Sequence, residues 1–186
     1  MADRHGAAGE PSPWVRRFIG GVREGGQALD LACGGGRHLR LAHALGHYVV
    51  GVDRDTSGVA DLAGKPNVEL MMVDLECGGP WPLAGRKFAG VIVTNYLWRP
   101  ILANVVASVS RHGVLIYETF AAGNERFGRP ANPDHLLRPG ELIEAVHGRL
   151  TVIAYENVML TNPDRVVARI AAVGERHPWL REPPGL

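Results

Sequence analysis

The segment Ala28-Leu29-Asp30-Leu31-Ala32 reads as a strand that runs straight into Cys33-Gly34-Gly35-Gly36 and from there into a helical pattern. Glycines at such a junction let the backbone turn sharply and approach a ligand closely, and the helix behind them begins with unpaired N–H groups. Strand, glycine turn and helix in that order form a nucleotide-type cradle. The alternation continues along the chain. Short β-branched runs at residues 27–32, 48–52, 68–73, 88–93, 113–119 and 150–154 are bounded by Gly, Pro, Asn or Asp and predict strands. Helical patterns occupy residues 36–45, 101–110 and 139–146. Such alternation predicts an α/β fold, a parallel sheet covered on both faces.

The C-terminal end departs from this rule. The run 150–160 is followed, after only Thr161-Asn162-Pro163-Asp164, by another β-rich run at 165–173, and so short a connection predicts an antiparallel hairpin. Residues 174–186 carry three prolines and should end the fold without a long helix. Residues 1–12 are polar and small, a loose lead-in that tightens at Pro13 and Trp14. With 186 residues, 46% of them hydrophobic and 21% charged, the chain suits one soluble domain spanning 1–186.

Charge narrows the choice of partner. Twenty Lys and Arg against nineteen Asp and Glu leave +1, too little for the broad cationic field that polynucleotides require. The start MADRHGAAGEPSPW lacks the apolar stretch of a signal peptide, no run approaches a membrane span, and Cys33 and Cys77 form no disulfide framework. A cytoplasmic protein is expected, with neither membrane nor nucleic acid as partner. Oligomeric state has no sequence signal.

The dinucleotide form of the cradle wants Gly-x-Gly-x-x-Gly, and Gly34-Gly35-Gly36-Arg37-His38-Leu39 fails at its last glycine, which disfavours NAD. The segment instead resembles the first motif of the class I S-adenosylmethionine-dependent methyltransferases, Asp/Glu-x-Gly-x-Gly-x-Gly, matched by Asp30, Gly34 and Gly36 with Ala32 in place of the first glycine. The resemblance implies a Rossmann-like seven-stranded sheet in the order 3-2-1-4-5-7-6, strand 7 antiparallel, with helices on both faces. It implies S-adenosyl-L-methionine as cofactor, Asp53 at the end of the second strand for the ribose hydroxyls, and Asp74 with Leu75 for the adenine. Asn95, in Thr94-Asn95-Tyr96-Leu97-Trp98 after the fourth strand, would line the sulfur and methyl group. Each part has a plainer reading: the acids as helix caps, Asn95 as a turn residue. A cationic sulfonium also favours a site without nearby Lys or Arg, so Arg37 and Arg54 are expected to point outward.

A second likeness covers residues 117–133 and 136–142 together with Ser12-Pro13-Trp14-Val15 and Thr94-Asn95-Tyr96-Leu97, and is to a bacterial methyltransferase group related to the tellurite-resistance and thiopurine methyltransferases. Residues 120–138 form a loop long enough to be a lid. Asn124, Arg126, Phe127 and Arg129 are candidates for gripping a substrate, with Tyr96 and Trp98 as pocket walls; the alternative is that both arginines pair with Glu125 and Asp134. Trp14 closes the pocket or anchors the core. His38, Tyr96 and Glu118 are the candidates for a catalytic role. His43 and His47 lack a third ligand, so no metal is expected, and Cys33 reads as packing. The expected reaction is methyl transfer to a small molecule. Its rivals are a nucleic-acid or protein methyltransferase and a noncatalytic cofactor-binding module.

Overall fold

The computed structural model describes residues 9–185; residues 1–8 of the expected lead-in lie outside them. Seven strands form one sheet: β1 (Gln27–Leu31), β2 (Tyr48–Asp53), β3 (Val68–Met72), β4 (Phe88–Thr94), β5 (Val109–Phe120), β6 (Thr151–Leu160) and β7 (Arg165–Val173). Their order is β3-β2-β1-β4-β5-β7-β6. The first five run parallel, while β7 is antiparallel to both β5 and β6. Order and direction match the expectation from the sequence.

Four α-helices flank the sheet: α1 (Pro13–Phe18), α2 (Arg37–Ala44), α3 (Arg99–Ala107) and α4 (Glu141–Val146). Side chains alternate between the two faces of a strand, so β4 sends Val91 and Val93 one way and Ile92 the other. The first face packs against Val105 and Val106 of α3 and Leu142 and Val146 of α4; the second packs against Trp14 and Phe18 of α1 and Leu39 of α2. Every residue of β4 before Thr94 is buried, which is why the run reads as continuously apolar.

Two crossovers lack an α-helix. Between β2 and β3 a 3-10 run, Ser57–Leu62, inserts Val59 and Leu62 into the second face. Between β3 and β4 the loop buries Leu83 in the first. Short α1 escaped the sequence reading although its signal was present: Ser12 caps it, accepting from Trp14 N–H at 3.1 Å, and Pro13 fills the first helical position, where no N–H is needed.

The loop at residues 120–138 is less free than its length suggests. Ala121 pairs with Leu137, Leu136 and Leu137 are buried, and Arg99 holds the carbonyls of Asp134 and Leu136 at 2.7 and 2.8 Å. Asn124 is 1% exposed; its amide donates to Pro130 O at 3.1 Å and accepts from Val166 N–H at 3.2 Å. It is a clip between loop and β7, and with both ends engaged it does not face a substrate. Asn124→Ala should therefore cost about 2–3 kcal/mol by leaving a buried donor and acceptor unpaired. Urea unfolding checks this, and a change under about 0.5 kcal/mol would mean that the clip carries no stability.

Candidate functional site

Three cavities open at the carboxyl ends of the parallel strands, where open α/β sheets bind their ligands. The first, about 300 Å³, is lined by Ala32, Asp53, Arg54, Val73, Asp74, Leu75, Glu76 and Tyr96. A second lies over the glycine turn, between Gly34, Gly35, Arg37 and His38 on one side and Thr94, Asn95 and Tyr96 on the other. The third, a cleft of about 880 Å³, runs from Asn95 past Glu118 to the β6–β7 turn. Ala32 and Tyr96 line the first two and Asn95 the last two, so the three adjoin.

The glycine turn is fixed by acids. Asp53 accepts from Gly34 N–H at 2.8 Å through one oxygen and from Asp55 N–H at 3.0 Å through the other. A carboxylate has further lone pairs, so Asp53 can hold the turn and still accept from a ligand. Gly36 has φ +73°, and a Cβ there would sit 2.3 Å from Val59 Cγ1, so only glycine fits. Ala32 stands in the left-handed region at φ +55°, where the related motif has glycine; the methyl is tolerated at a cost of about 1–2 kcal/mol.

Asp30 lies beneath this turn, not in it. It is 2% exposed and accepts from Leu39 N–H at 2.9 Å, capping α2 from the preceding strand. It supports the cradle without reaching a ligand, and burial pushes its carboxyl up to about 7. Asp74 and Leu75 line the first cavity and Asn95 the other two. Tyr96 lines the first, and its phenol oxygen is buried close to Glu76, without a partner at full hydrogen-bond geometry. Burial, with Glu76, Asp74 and Asp53 nearby, raises that phenol above its usual range, so it is a donor at neutral pH and not a base.

His38 is also unavailable as a base. Its Nε2 accepts from Ser12 N–H at 3.0 Å, so that lone pair is engaged, and Nδ1 lies 3.3 Å from Thr94 Oγ1. Burial pushes it down to about 3. Glu118 is buried at the wall of the cleft, accepting from Ser12 Oγ at 2.8 Å and pairing with Arg169 at 3.1 Å. Cys33 is buried and its thiol raised, chiefly by burial, as a packing residue should be.

The substrate-side expectations need correction. Trp14 takes the second of its two readings: it is 2% exposed and bonded through Nε1 to Ile170 O at 3.2 Å, so it anchors α1 on the sheet. Trp98 is half-buried at the N-terminus of α3 and, like Arg126, Phe127 and Arg129, lines none of the three cavities. Arg126 folds back, Nε to Gly123 O at 3.1 Å and guanidinium over Phe127, because its own loop satisfies it locally. Neither arginine pairs with Glu125 or Asp134. Arg37 and Arg54, expected to point outward, line the glycine-turn and first cavities. Residues missed altogether are Arg16, Arg165 and Arg169, which face the cleft. Among the described residues no three His, Cys, Asp or Glu side chains form a metal-holding group, and no helix is long and apolar enough to cross a membrane.

Asp30 and His38 titrate in opposite senses, and this makes a test. Asp30 keeps its proton up to about pH 7 when folded but only to 3.8 when unfolded, so over that range it favours the folded state more at lower pH. His38 is neutral down to about pH 3 when folded but protonates below 6.5 when unfolded, so its contribution is lost as pH falls. From about pH 4 to 6.5 the two slopes cancel. Relative to wild type, Asp30→Asn should make stability fall on acidification, by up to about 1.4 kcal/mol per pH unit, and His38→Gln should make it rise. Parallel stability–pH curves for all three proteins would contradict the burial assigned to these groups.

No family model matches the chain, and no curated protein is similar to it in sequence. Solved structures are similar in fold. TehB from Haemophilus influenzae superposes with a TM-score of 0.66 at 17% identity, over 87% of this chain and 61% of its own, so the chain spans less than two thirds of TehB. An S-adenosylmethionine-dependent methyltransferase from Mesorhizobium loti gives 0.66 at 17% identity, over 86% of this chain and 95% of its own. The 1,6-didemethyltoxoflavin-N1-methyltransferase of Burkholderia thailandensis, solved with its acceptor and S-adenosylhomocysteine, gives 0.62 at 18%, over 86% and 75%. Strand order, the single antiparallel strand and these superpositions agree: the chain has the fold of the class I S-adenosylmethionine-dependent methyltransferases.

Proposed function

We propose that this chain is an S-adenosylmethionine-dependent methyltransferase acting on a small molecule. The observation that carries the reading is the join between the glycine turn and the acidic cavity, made by Asp53, which holds Gly34 while lining that cavity. The residues present suit the cofactor. Asp53 offers carboxylate lone pairs for paired ribose hydroxyls; Asp74 and Leu75 form the wall for the adenine; Ala32, Gly34 and Gly36 give a backbone close enough for the amino-acid portion. Arg37, beside the glycines, is placed for a carboxylate, and the phenol of Tyr96, close to Glu76, is a hydrogen-bond donor at the cavity wall.

When bound, S-adenosylmethionine supplies an electrophilic methyl group on a cationic sulfur. The chain supplies position and field. Asp53, Asp74 and Glu76 against Arg54 leave the first cavity with a net negative lining, favourable to a cation. Asn95 stands between the glycine-turn cavity and the cleft, where an acceptor's lone pair can approach in line. With His38 and Tyr96 unsuited to accept a proton and Glu118 engaged by Ser12 and Arg169, the geometry favours acceptors that need little activation, such as an amine or a thiolate. Neighbours of this fold include enzymes named for small acceptors, 1,6-didemethyltoxoflavin and coclaurine. Cys33 and Cys77 are both free, which fits a reducing cytoplasm.

Release of S-adenosylhomocysteine over a panel of amines, thiols, phenols and oxyanions tests the reading. Turnover on a small acceptor is the expected result; methylation of RNA, DNA or protein alone would overturn it. Asp53→Ala should weaken cofactor binding by about 1.5–3 kcal/mol through loss of charged hydrogen bonds. Calorimetry on the folded variant checks this, and an unchanged dissociation constant would move the ribose contact elsewhere.

A further inference from the structure

The large cleft has an electrostatic character opposite to that of the acidic cavity it adjoins. Arg16, Arg37, Arg165 and Arg169 line it against Glu10 and Glu118. Two of these arginines are engaged. Arg16 pairs with Glu10. Arg169 lies between Glu118 at 3.1 Å and Glu156 at 2.5 Å, with its guanidinium 4.6 Å over the Trp14 ring. The other two, Arg37 and Arg165, donate only to main-chain carbonyls, Glu10 O at 3.3 Å and Pro163 O at 3.0 Å. Among the described residues neither forms an ion pair. Arg37 sits at the glycine turn and serves the donor side, which leaves Arg165, half-buried at the outer end, as a guanidinium whose fork is otherwise unfilled. Such a fork matches an oxyanion in two-point geometry.

Register gives the length of what could bind there. Arg169 stands opposite Glu118 on β5, and Glu118 is level with Thr94 at the end of β4, beside Asn95. Arg165 is four residues farther along β7, about 13 Å at the rise of an extended strand. Phe120, Leu160 and Val167 supply apolar wall along the cleft. A small inorganic oxyanion held by Arg165 would therefore lie far from the methyl group, and most of the about 880 Å³ would stay unfilled.

We propose that the methyl acceptor is an organic acid whose carboxylate is held by Arg165 and whose apolar body lies along the cleft, with its nucleophile at the other end beside Asn95. The proposal rests on the methyltransferase reading. In the transfer the nucleophile's lone pair forms the bond to the methyl carbon, and the carbon–sulfur pair returns to sulfur. A proton on the nucleophile, where there is one, leaves to water. The carboxylate is an anchor and takes no part in bond exchange.

Calorimetry on the full chain separates this from its alternatives. The probes are arylalkanoates with chains of three to six carbons, their primary amides, and acetate and sulfate, each titrated with and without S-adenosylhomocysteine. The acids should bind at least ten-fold more tightly than their amides, acetate and sulfate should bind weakly, and Arg165→Gln should remove the preference while binding S-adenosylhomocysteine as wild type does. Equal binding of acid and amide, a preference that survives Arg165→Gln, or sulfate binding as tightly as the best acid would each overturn the proposal. Failure of S-adenosylhomocysteine to bind wild type would instead overturn the methyltransferase reading, and the acid–amide comparison without it would still judge the cleft.

Discussion

The turn from β1 into α2 holds the rest of the site in register. Gly36 enters the helix at φ +73° with Val59 pressed where a side chain would be, Asp53 fastens Gly34 from β2, and Asp30 caps Leu39 from below. Strand, neighbouring strand and helix thus meet at one glycine-rich turn, which stays open to ligand on its outer side. A fault there would misplace the acidic cavity and the mouth of the cleft together, because both share residues with that turn or with Asn95 across from it.

Around this turn the chain separates charge by distance along the strand ends. Acids collect beyond β2 and β3, and arginines on α1, at the start of α2 and in β7. A net charge of +1 conceals that division. The bracketed Arg169 couples the two antiparallel pairings to α1, since Glu118, which it holds, also accepts from Ser12, the cap of that helix. Breaking one partner of such a buried pair leaves the other uncompensated, so the network fixes the cleft wall more than it adds stability.

The sheet was legible because its signals are local: β-branched runs, glycine punctuation and a four-residue hairpin. The places of Asp53, Asp74, Leu75 and Asn95 at the strand ends were legible for the same reason, each lying one strand-end away from a recognisable run. For Asp30 the motif position does not say which way the side chain faces, and this one turns under the helix. Asn124 was misread, and the two readings of Trp14 stayed undecided, because burial depends on contacts with β7, distant in sequence. Arg169 could have been found: the turn after Leu160 sets Leu160 opposite Arg165, and counting back along the hairpin brings Glu156 opposite Arg169. Arg165 and Arg37 had no such signal, since an unpaired guanidinium is visible only once its surroundings are.

The central claim is that the glycine turn and the acidic cavity together form a site for S-adenosylmethionine. Calorimetric titration of the unmodified chain with S-adenosylhomocysteine and, separately, with NAD tests it most directly. The account predicts one-to-one binding of S-adenosylhomocysteine and none of NAD at the same concentrations; NAD binding as tightly or more tightly would contradict it.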